Sequence, residues 1–317
     1  MVPWRARTGR ITSDQGGARR LETGIAREAA RKGWCEIELN GIGKLTAPVI
    51  IAAFEGWNDA GEAASGVITH LTAAWQAEPV GAIDPEDFYD FQVTRPVTEV
   101  TEGATRRLVW PTTRLLRPAK DNPADRDVVL VHGIEPNMRW RRFCDELVAA
   151  FTDLRAEMVV LLGALLADSP HTRPVPVTTS ASDKALASGL HASPSDYKGP
   201  TGITGVLQHE CAEAGIAAVS LWAAVPHYVA QPPSPKATLA LLRGVEDLLD
   251  MSLPLADLAQ ESRAWERGVD ELAEQDSEVA DYVRTLEEAK DATELPEASG
   301  DAIAAEFERY LRRRRDR

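Results

Sequence analysis

The sequence predicts an α/β protein: a three-layer α/β/α sandwich around a mixed, mostly parallel sheet, followed by a C-terminal helical subdomain. Three observations predict it. Runs such as Pro48–Phe54 and Met158–Leu166 are apolar throughout, as strands covered on both faces must be. Segments of helical period alternate with these runs, as in βαβ units. Beyond Pro254 the strand signals stop, and the chain turns dense in Glu, Asp, Ala and Arg.

In order, Pro48–Phe54 reads as a buried strand and Asp59–Trp75 as the helix after it. Val80–Ile83, Tyr89–Val93, Glu99–Val100 and Arg107–Trp110 are short, partly polar and close together, as antiparallel strands or hairpins are. The hairpin-like stretch at 88–110 is what makes the sheet mixed. Asp127–Gly133 is a second buried strand. Met138–Leu154 is a helix, with Trp140, Phe143, Cys144, Leu147 and Phe151 at helical spacing. Met158–Leu166 is a third strand and Val175–Thr179 a candidate fourth. The glycines and hydroxyls of 199–205 open a helix through Ala214, with Gly215 as its cap. Ile216–Val225 is another buried strand. Pro235–Leu249 is a helix whose first turn tolerates its proline. Leu255, Leu258, Trp265, Val269 and Leu272 keep a helical period, as do Val279, Val283 and Leu286, then Ile303, Phe307, Tyr310 and Leu311. Two or three appended helices follow from that.

The domains are then 1–34, a basic extension that reads as disordered or as an over-long start, 35–253, the α/β/α body, and 254–317, the helical appendage. A chain of 317 residues with 44% hydrophobic content can build such a body and an appendage. Its net charge is −14, but residues 1–34 carry +5 and the remainder −19. An acidic surface repels phosphate backbones and anionic headgroups, which argues against nucleic acid and membrane as partners. The first residues lack the apolar core of a secretory signal, and the longest apolar run, Met158–Ala167, is too short to span a bilayer. Cys35, Cys144 and Cys211 are odd in number and widely spaced, which fits a reducing cytoplasm and gives neither a disulfide framework nor a metal motif.

Catalytic patterns are missing. The sequence holds no Walker-type phosphate loop and no nucleophile elbow, and His209-Glu210 lacks the second histidine that a zinc site needs. No catalytic residue, metal ligand or cofactor is expected. Three turns remain. Glu55, Trp57, Asn58 and Asp59 follow the first strand, where α/β proteins usually hold ligands. Asp59 reads first as a helix cap. Trp57 reads as the cover of a pocket or interface. The small residues Gly61, Ala63, Ala64, Ser65 and Gly66 make a thin helix that permits close packing. Glu135, Asn137 and Trp140 occupy the matching position after the second buried strand, so the two turns could face one cleft, and a Glu135–Arg139 ion pair could fix the loop. Tyr197 begins the glycine-rich entrance at 197–205, which could cradle an anion together with Arg95, although an ordinary helix entrance is the simpler reading.

These segments together resemble the proteasome assembly chaperone 2 family in its actinobacterial branch. The likeness rests on Phe54-Glu-Gly-Trp-Asn-Asp-Ala-Gly61, Tyr89-Asp-Phe-Gln-Val-Thr-Arg-Pro96, Gly133-Ile-Glu-Pro-Asn-Met-Arg-Trp140, Tyr197-Lys-Gly-Pro-Thr-Gly202, Leu221-Trp-Ala-Ala-Val-Pro-His-Tyr228 and Ser234-Pro-Lys-Ala237. They fall in order across about residues 47–250. The resemblance implies a phosphorylase/hydrolase-like architecture and self-association, often as a trimer. It also implies proteasome subunits as candidate partners, without catalysis. Proteasome-docking members often end in a hydrophobic residue, a tyrosine and any residue. Here Tyr310 precedes a run of arginines, so tail docking is doubtful and another surface would have to serve. The ten residues Glu55, Trp57, Asn58, Asp59, Tyr89, Arg95, Glu135, Asn137, Trp140 and Tyr197 are the expected ligand or partner contacts. The leading expectation is a cytoplasmic, non-catalytic, homo-oligomeric protein-binding or assembly factor. The alternative is a small-molecule enzyme of the ATP-dependent carboxylate–amine ligase type using the cleft at the strand ends.

Overall fold

The computed structural model describes residues 37–46, 48–101, 105–119, 127–181, 184–189 and 197–294. The chain divides into two units, Met1–Glu36 and Ile37–Arg317, and the predicted basic extension lies outside the described residues. The strands and helices run β1 (Val49–Glu55), α1 (Ala63–Trp75), β2 (Glu78–Ala82), β3 (Val97–Thr101), β4 (Thr105–Val109), β5 (Arg114–Arg117), β6 (Val128–Ile134), α2 (Trp140–Asp153), β7 (Met158–Ala167), β8 (Val177–Ala181), α3 (Lys184–Gly189), α4 (Ile203–Glu213), β9 (Ala217–Pro226), α5 (Pro235–Leu249), α6 (Leu258–Gln275) and α7 (Ser277–Glu294).

Seven strands form one mixed sheet in the order β2-β5-β6-β1-β7-β9-β8. The four central strands are parallel, and β2, β5 and β8 join the margins antiparallel. The sheet is thus partly rather than mostly parallel. The burial of the centre explains its composition, since Val49 through Phe54 are wholly inaccessible. Alternate residues feed two cores. Val49, Ile51 and Ala53 pack with α1 and α5, while Ile50, Ala52 and Phe54 pack with α2 and α4. On that second face Phe143 meets Phe54 and Phe88 edge-on, with ring centres 5.9 and 5.4 Å away.

Three local expectations are corrected. The 88–110 stretch does not make the sheet mixed, because its hairpin, β3–β4, is a separate two-stranded sheet. Tyr89–Val93 is not a strand. The Asp90 carboxylate accepts from the Gln92 N–H at 2.9 Å, and the Asp90 carbonyl accepts from the N–H groups of Val93 and Thr94, which closes a turn. The sheet strand missed from sequence is β5, whose Arg-Leu-Leu-Arg has no alternation to read. Leu115 enters one core and Leu116 the other.

The thin helix α1 serves packing. A side chain on Gly66 would place its Cβ 2.9 Å from the Thr238 hydroxyl oxygen, so α5 lies directly against it. Beyond α5, Leu253 and Leu258 extend the α1–α5 core, and α6 packs along α5. The helix α7 rests on α6 with Val283 buried. Among the described residues no helix is long and apolar enough to cross a membrane. Residues 303–311, read as a third appended helix, lie outside the described residues.

Candidate functional site

Three loops meet at the C-terminal ends of the parallel strands, and Glu135 holds them together. Its N–H donates to the Glu55 carbonyl at 2.9 Å, which joins the turn after β6 to the turn after β1. One carboxylate oxygen, Oε1, accepts from Asn58 Nδ2 at 2.7 Å and from the Ile203 N–H at 2.8 Å. Ile203 is the first residue of α4, so the carboxylate sits where a helix N-terminus favours negative charge. Hydrogen bonds to an ionised group each contribute about 1.5–3 kcal/mol. The approach is close enough to require glycine at 202, because a Cβ there would lie 2.1 Å from Asn58 Oδ1. Asn58 is fully buried, and its carbonyl accepts from the Ala164 N–H at 2.8 Å, which ties the turn to β7.

Asp59 points to the other face and caps α1. Its Oδ1 accepts from the N–H groups of Ala64 and Ser65 at 2.7 and 3.3 Å. Burial raises its pKa, against the opposing pull of these hydrogen bonds. At the end of β1, Glu55 lies 3.2 Å from His132 Nε2, a partner the sequence reading did not single out. The parallel β1–β6 register places Glu55 beside Ile134 and Ala53 beside His132. Only that register, absent from any local motif, brings Glu55 and His132 together.

Tyr89 and Asn137 fasten the 88–94 turn to the same rim. The Tyr89 hydroxyl donates to the Ile134 carbonyl at 2.8 Å, and burial pushes its pKa up to about 12. Asn137 Oδ1 accepts from the Asp90 N–H and the Thr94 hydroxyl at 2.9 and 3.0 Å. Trp140 donates its indole N–H to the Pro136 carbonyl at 2.6 Å. The expected Glu135–Arg139 pair is not formed, since Arg139 turns to Asp87 and Glu135 is engaged by Asn58 and Ile203. The structure therefore brings Glu55, Asn58, Asp59, Tyr89, Glu135, Asn137 and Trp140 into one bonded framework.

Trp57, Arg95 and Tyr197 are exposed, as is Asn137 within that framework. Trp57 and Tyr197 are each 66% exposed, although the Tyr197 hydroxyl donates to the Pro200 carbonyl at 2.9 Å. Beyond Ala164, which bridges to Asp59, Leu165 and Leu166 are about half exposed at the end of β7. The two turns expected to face one cleft are bridged by the Asn58–Glu135 hydrogen bond. An open groove of 510 Å³ lies beside the β3–β4 hairpin, and none of the ten expected residues lines it. Among the described residues no group of three or more His, Cys, Asp or Glu is placed to hold a metal. Cys144 and Cys211 are buried free thiols on α2 and α4 whose pKa values burial raises, as suits inert core residues.

The fold and rim define an α/β protein with a bonded loop framework and an exposed aromatic at the strand ends. The chain belongs to the PAC2 family, whose model matches residues 53–273. It is similar to a PAC2 family protein from Streptomyces avermitilis, with 57% identity over 74% of this chain and 99% of that one and a TM-score of 0.70. It is also similar to Rv2125 of Mycobacterium tuberculosis, a proteasome-assembly chaperone homologue, with 56% identity over the same 74% and 99% and a TM-score of 0.68. The archaeal proteasome activator PbaB of Pyrococcus furiosus shares the fold at 13% identity, over 74% of this chain and 97% of its own, with a TM-score of 0.61. None of the curated proteins matches the chain.

Proposed function

We propose that this protein is a non-catalytic binding or assembly factor, working in the cytoplasm as a homo-oligomer, with proteasome subunits as its partners. The observation that carries this reading is Trp57, 66% exposed on a turn whose neighbours Asn58 and Asp59 are buried and bonded. A large exposed aromatic on a bonded turn is the kind of side chain that anchors protein interfaces. Leu165 and Leu166 add apolar surface on the strand bonded to that turn. The family supports the choice of partner, since a mycobacterial relative is described as a proteasome-assembly chaperone homologue. The helices on both faces of the sheet suit the phosphorylase/hydrolase-like architecture implied by the resemblance. Ligase chemistry gains nothing from the rim, where the Glu135 carboxylate occupies the α4 N-terminus that a substrate anion would need.

The test is affinity capture of the tagged full chain from its own cells, beside the Trp57→Ala variant. Proteasome α-subunits should accompany the parent protein at near-stoichiometric yield, and the variant should lose them while melting at the same temperature. Equal capture by both, or capture without any proteasome subunit, would overturn the proposal.

A further inference from the structure

We infer that the β3–β4 hairpin is a second docking element, one that takes an extended acidic segment of a partner protein by strand addition. Among the described residues its strands pair only with each other, from Val97 opposite Val109 to Thr101 opposite Thr105. Each strand then keeps an outer row of backbone N–H and C=O groups, which is the template that an added strand uses. A two-stranded ribbon is marginally stable alone. This one is anchored at its base, where Trp110 meets Phe91 edge-on at 4.9 Å.

The side chains specify the occupant. Val97, Val100, Leu108 and Trp110 are 61, 69, 49 and 42% exposed, with Val100 and Leu108 on one face of the hairpin and Val97 on the other, apolar surface that is unusual outside an interface. The 510 Å³ groove is lined by Leu108, Val109 and Trp110 together with Ala82, Ile83 and Pro85. Arg107 and Arg114 also line it, and Arg106 is exposed on the same strand as Arg107. Two carboxylates stand beside them, Asp84 in the groove wall and Glu99 directly opposite Arg107. Glu99 reaches Arg107 only at 4.0 Å, and Asp84 accepts from the Glu86 N–H. Arg106, Arg107 and Arg114 outnumber Glu99 and Asp84, and this local positive excess on a chain of net charge −14 attracts an acidic segment, while the rest of the surface repels a long polyanion. Strand addition further requires a peptide backbone, which nucleic acid lacks.

The experiment uses the full chain and a fluorescent, end-capped peptide of alternating Glu and Val, with a Lys–Val twin as control, read by polarisation. The Glu–Val peptide should bind and the Lys–Val peptide should not. The double variant R106E/R107E should weaken binding about tenfold or more, since two surface charges are reversed. N-methylation of alternate peptide amides should abolish it, because strand pairing needs those N–H groups. Trp57→Ala should leave it unchanged, which separates this surface from the rim. R106E/R107E lies outside both cores, so its melting temperature should match the parent. Equal binding of the two peptides, or insensitivity to R106E/R107E or to N-methylation, would overturn the inference. So would a fall in native mass of R106E/R107E, which would make a second copy of the chain the occupant.

Discussion

Glu146 stands on α2 with its carboxyl only 5% exposed, and burial pushes its pKa up to about 7 against the hydrogen bond and charge of Arg142. The carboxylates of Asp87 and Asp84 add to the rise. Arg142 cannot fully compensate, because it also reaches Asp87 at 2.8 Å. The sign follows from linkage. A carboxyl whose folded pKa lies above its unfolded value of 4.5 favours the native state most when protonated. That contribution, about 3 kcal/mol, is complete below the unfolded pKa and is lost as pH rises through about 7. Glu146→Gln removes the titration. In thermal melts from about pH 5 to about pH 8, the variant should gain on the parent as pH rises. Parallel pH profiles for the two proteins would show that Glu146 does not titrate in this range. Sequence gave no hint of the effect. Glu146 reads there as one more helical carboxylate, and its partner Arg142 is also drawn to Phe88 and Asp87 from far upstream. Asp59 was legible, since a cap is a local event. Its neighbour Asn58 was named as a contact residue without its partner, because Glu135 is 77 positions away.

At the level of elements, β1, β6, β7, β9 and α5 were readable because burial on both faces leaves an unbroken apolar run, or a clean helical stripe. Of the elements misread, β5 owes its form to pairing with β2 and β6, whereas the turn at Tyr89–Val93 is closed by the local bonds of Asp90 and fastened by distant Asn137. The helix α7 combines both cases. Its period was visible, but its attachment is mostly polar. Val283 is buried, while Arg173 clasps Asp291 with two bonds of 2.8 Å and reaches Glu287 at 3.1 Å. Tyr282 donates to Asp168 at 3.1 Å. The Arg173 guanidinium holds the Asp291 carboxyl below its usual range, and the hydrogen bonds and charge of Asp291 raise the arginine in turn. Deeper in, buried His171 links Tyr228 and Asp270 at 2.7 and 3.0 Å, so α6 is joined to the body by a less exposed tie. Arg173→Ala should therefore raise backbone hydrogen exchange across α7 several-fold while α5 and the central strands stay protected. Salt at about 0.5 M should move the parent in the same direction, since exposed pairs are screened. Unchanged α7 exchange in the variant would mean that the Val283 contact and the Tyr282–Asp168 bond hold the helix without Arg173.

For the whole molecule, the two proposed surfaces and the charge make opposing demands. The rim presents Trp57, Leu165 and Leu166, and the hairpin presents Val97, Val100 and Leu108, all exposed apolar groups. Such surface favours association. The net charge of −14 opposes any contact between copies of the chain. The balance depends on ionic strength, because the Debye length falls from about 30 Å at 0.01 M to about 4–5 Å near 0.5 M. If the proposed homo-oligomer is held by apolar contact, salt removes the repulsion and leaves the attraction. Sedimentation at fixed protein concentration should then show a larger mean mass near 0.5 M than near 0.02 M salt. Dissociation at high salt would point instead to an interface of charge pairs, with the basic hairpin of one copy meeting the acidic surface of the next. That outcome would count against both the apolar contact argued for self-association and the acidic partner assigned to the hairpin. One salt series thus separates attraction through apolar surface from attraction through charge.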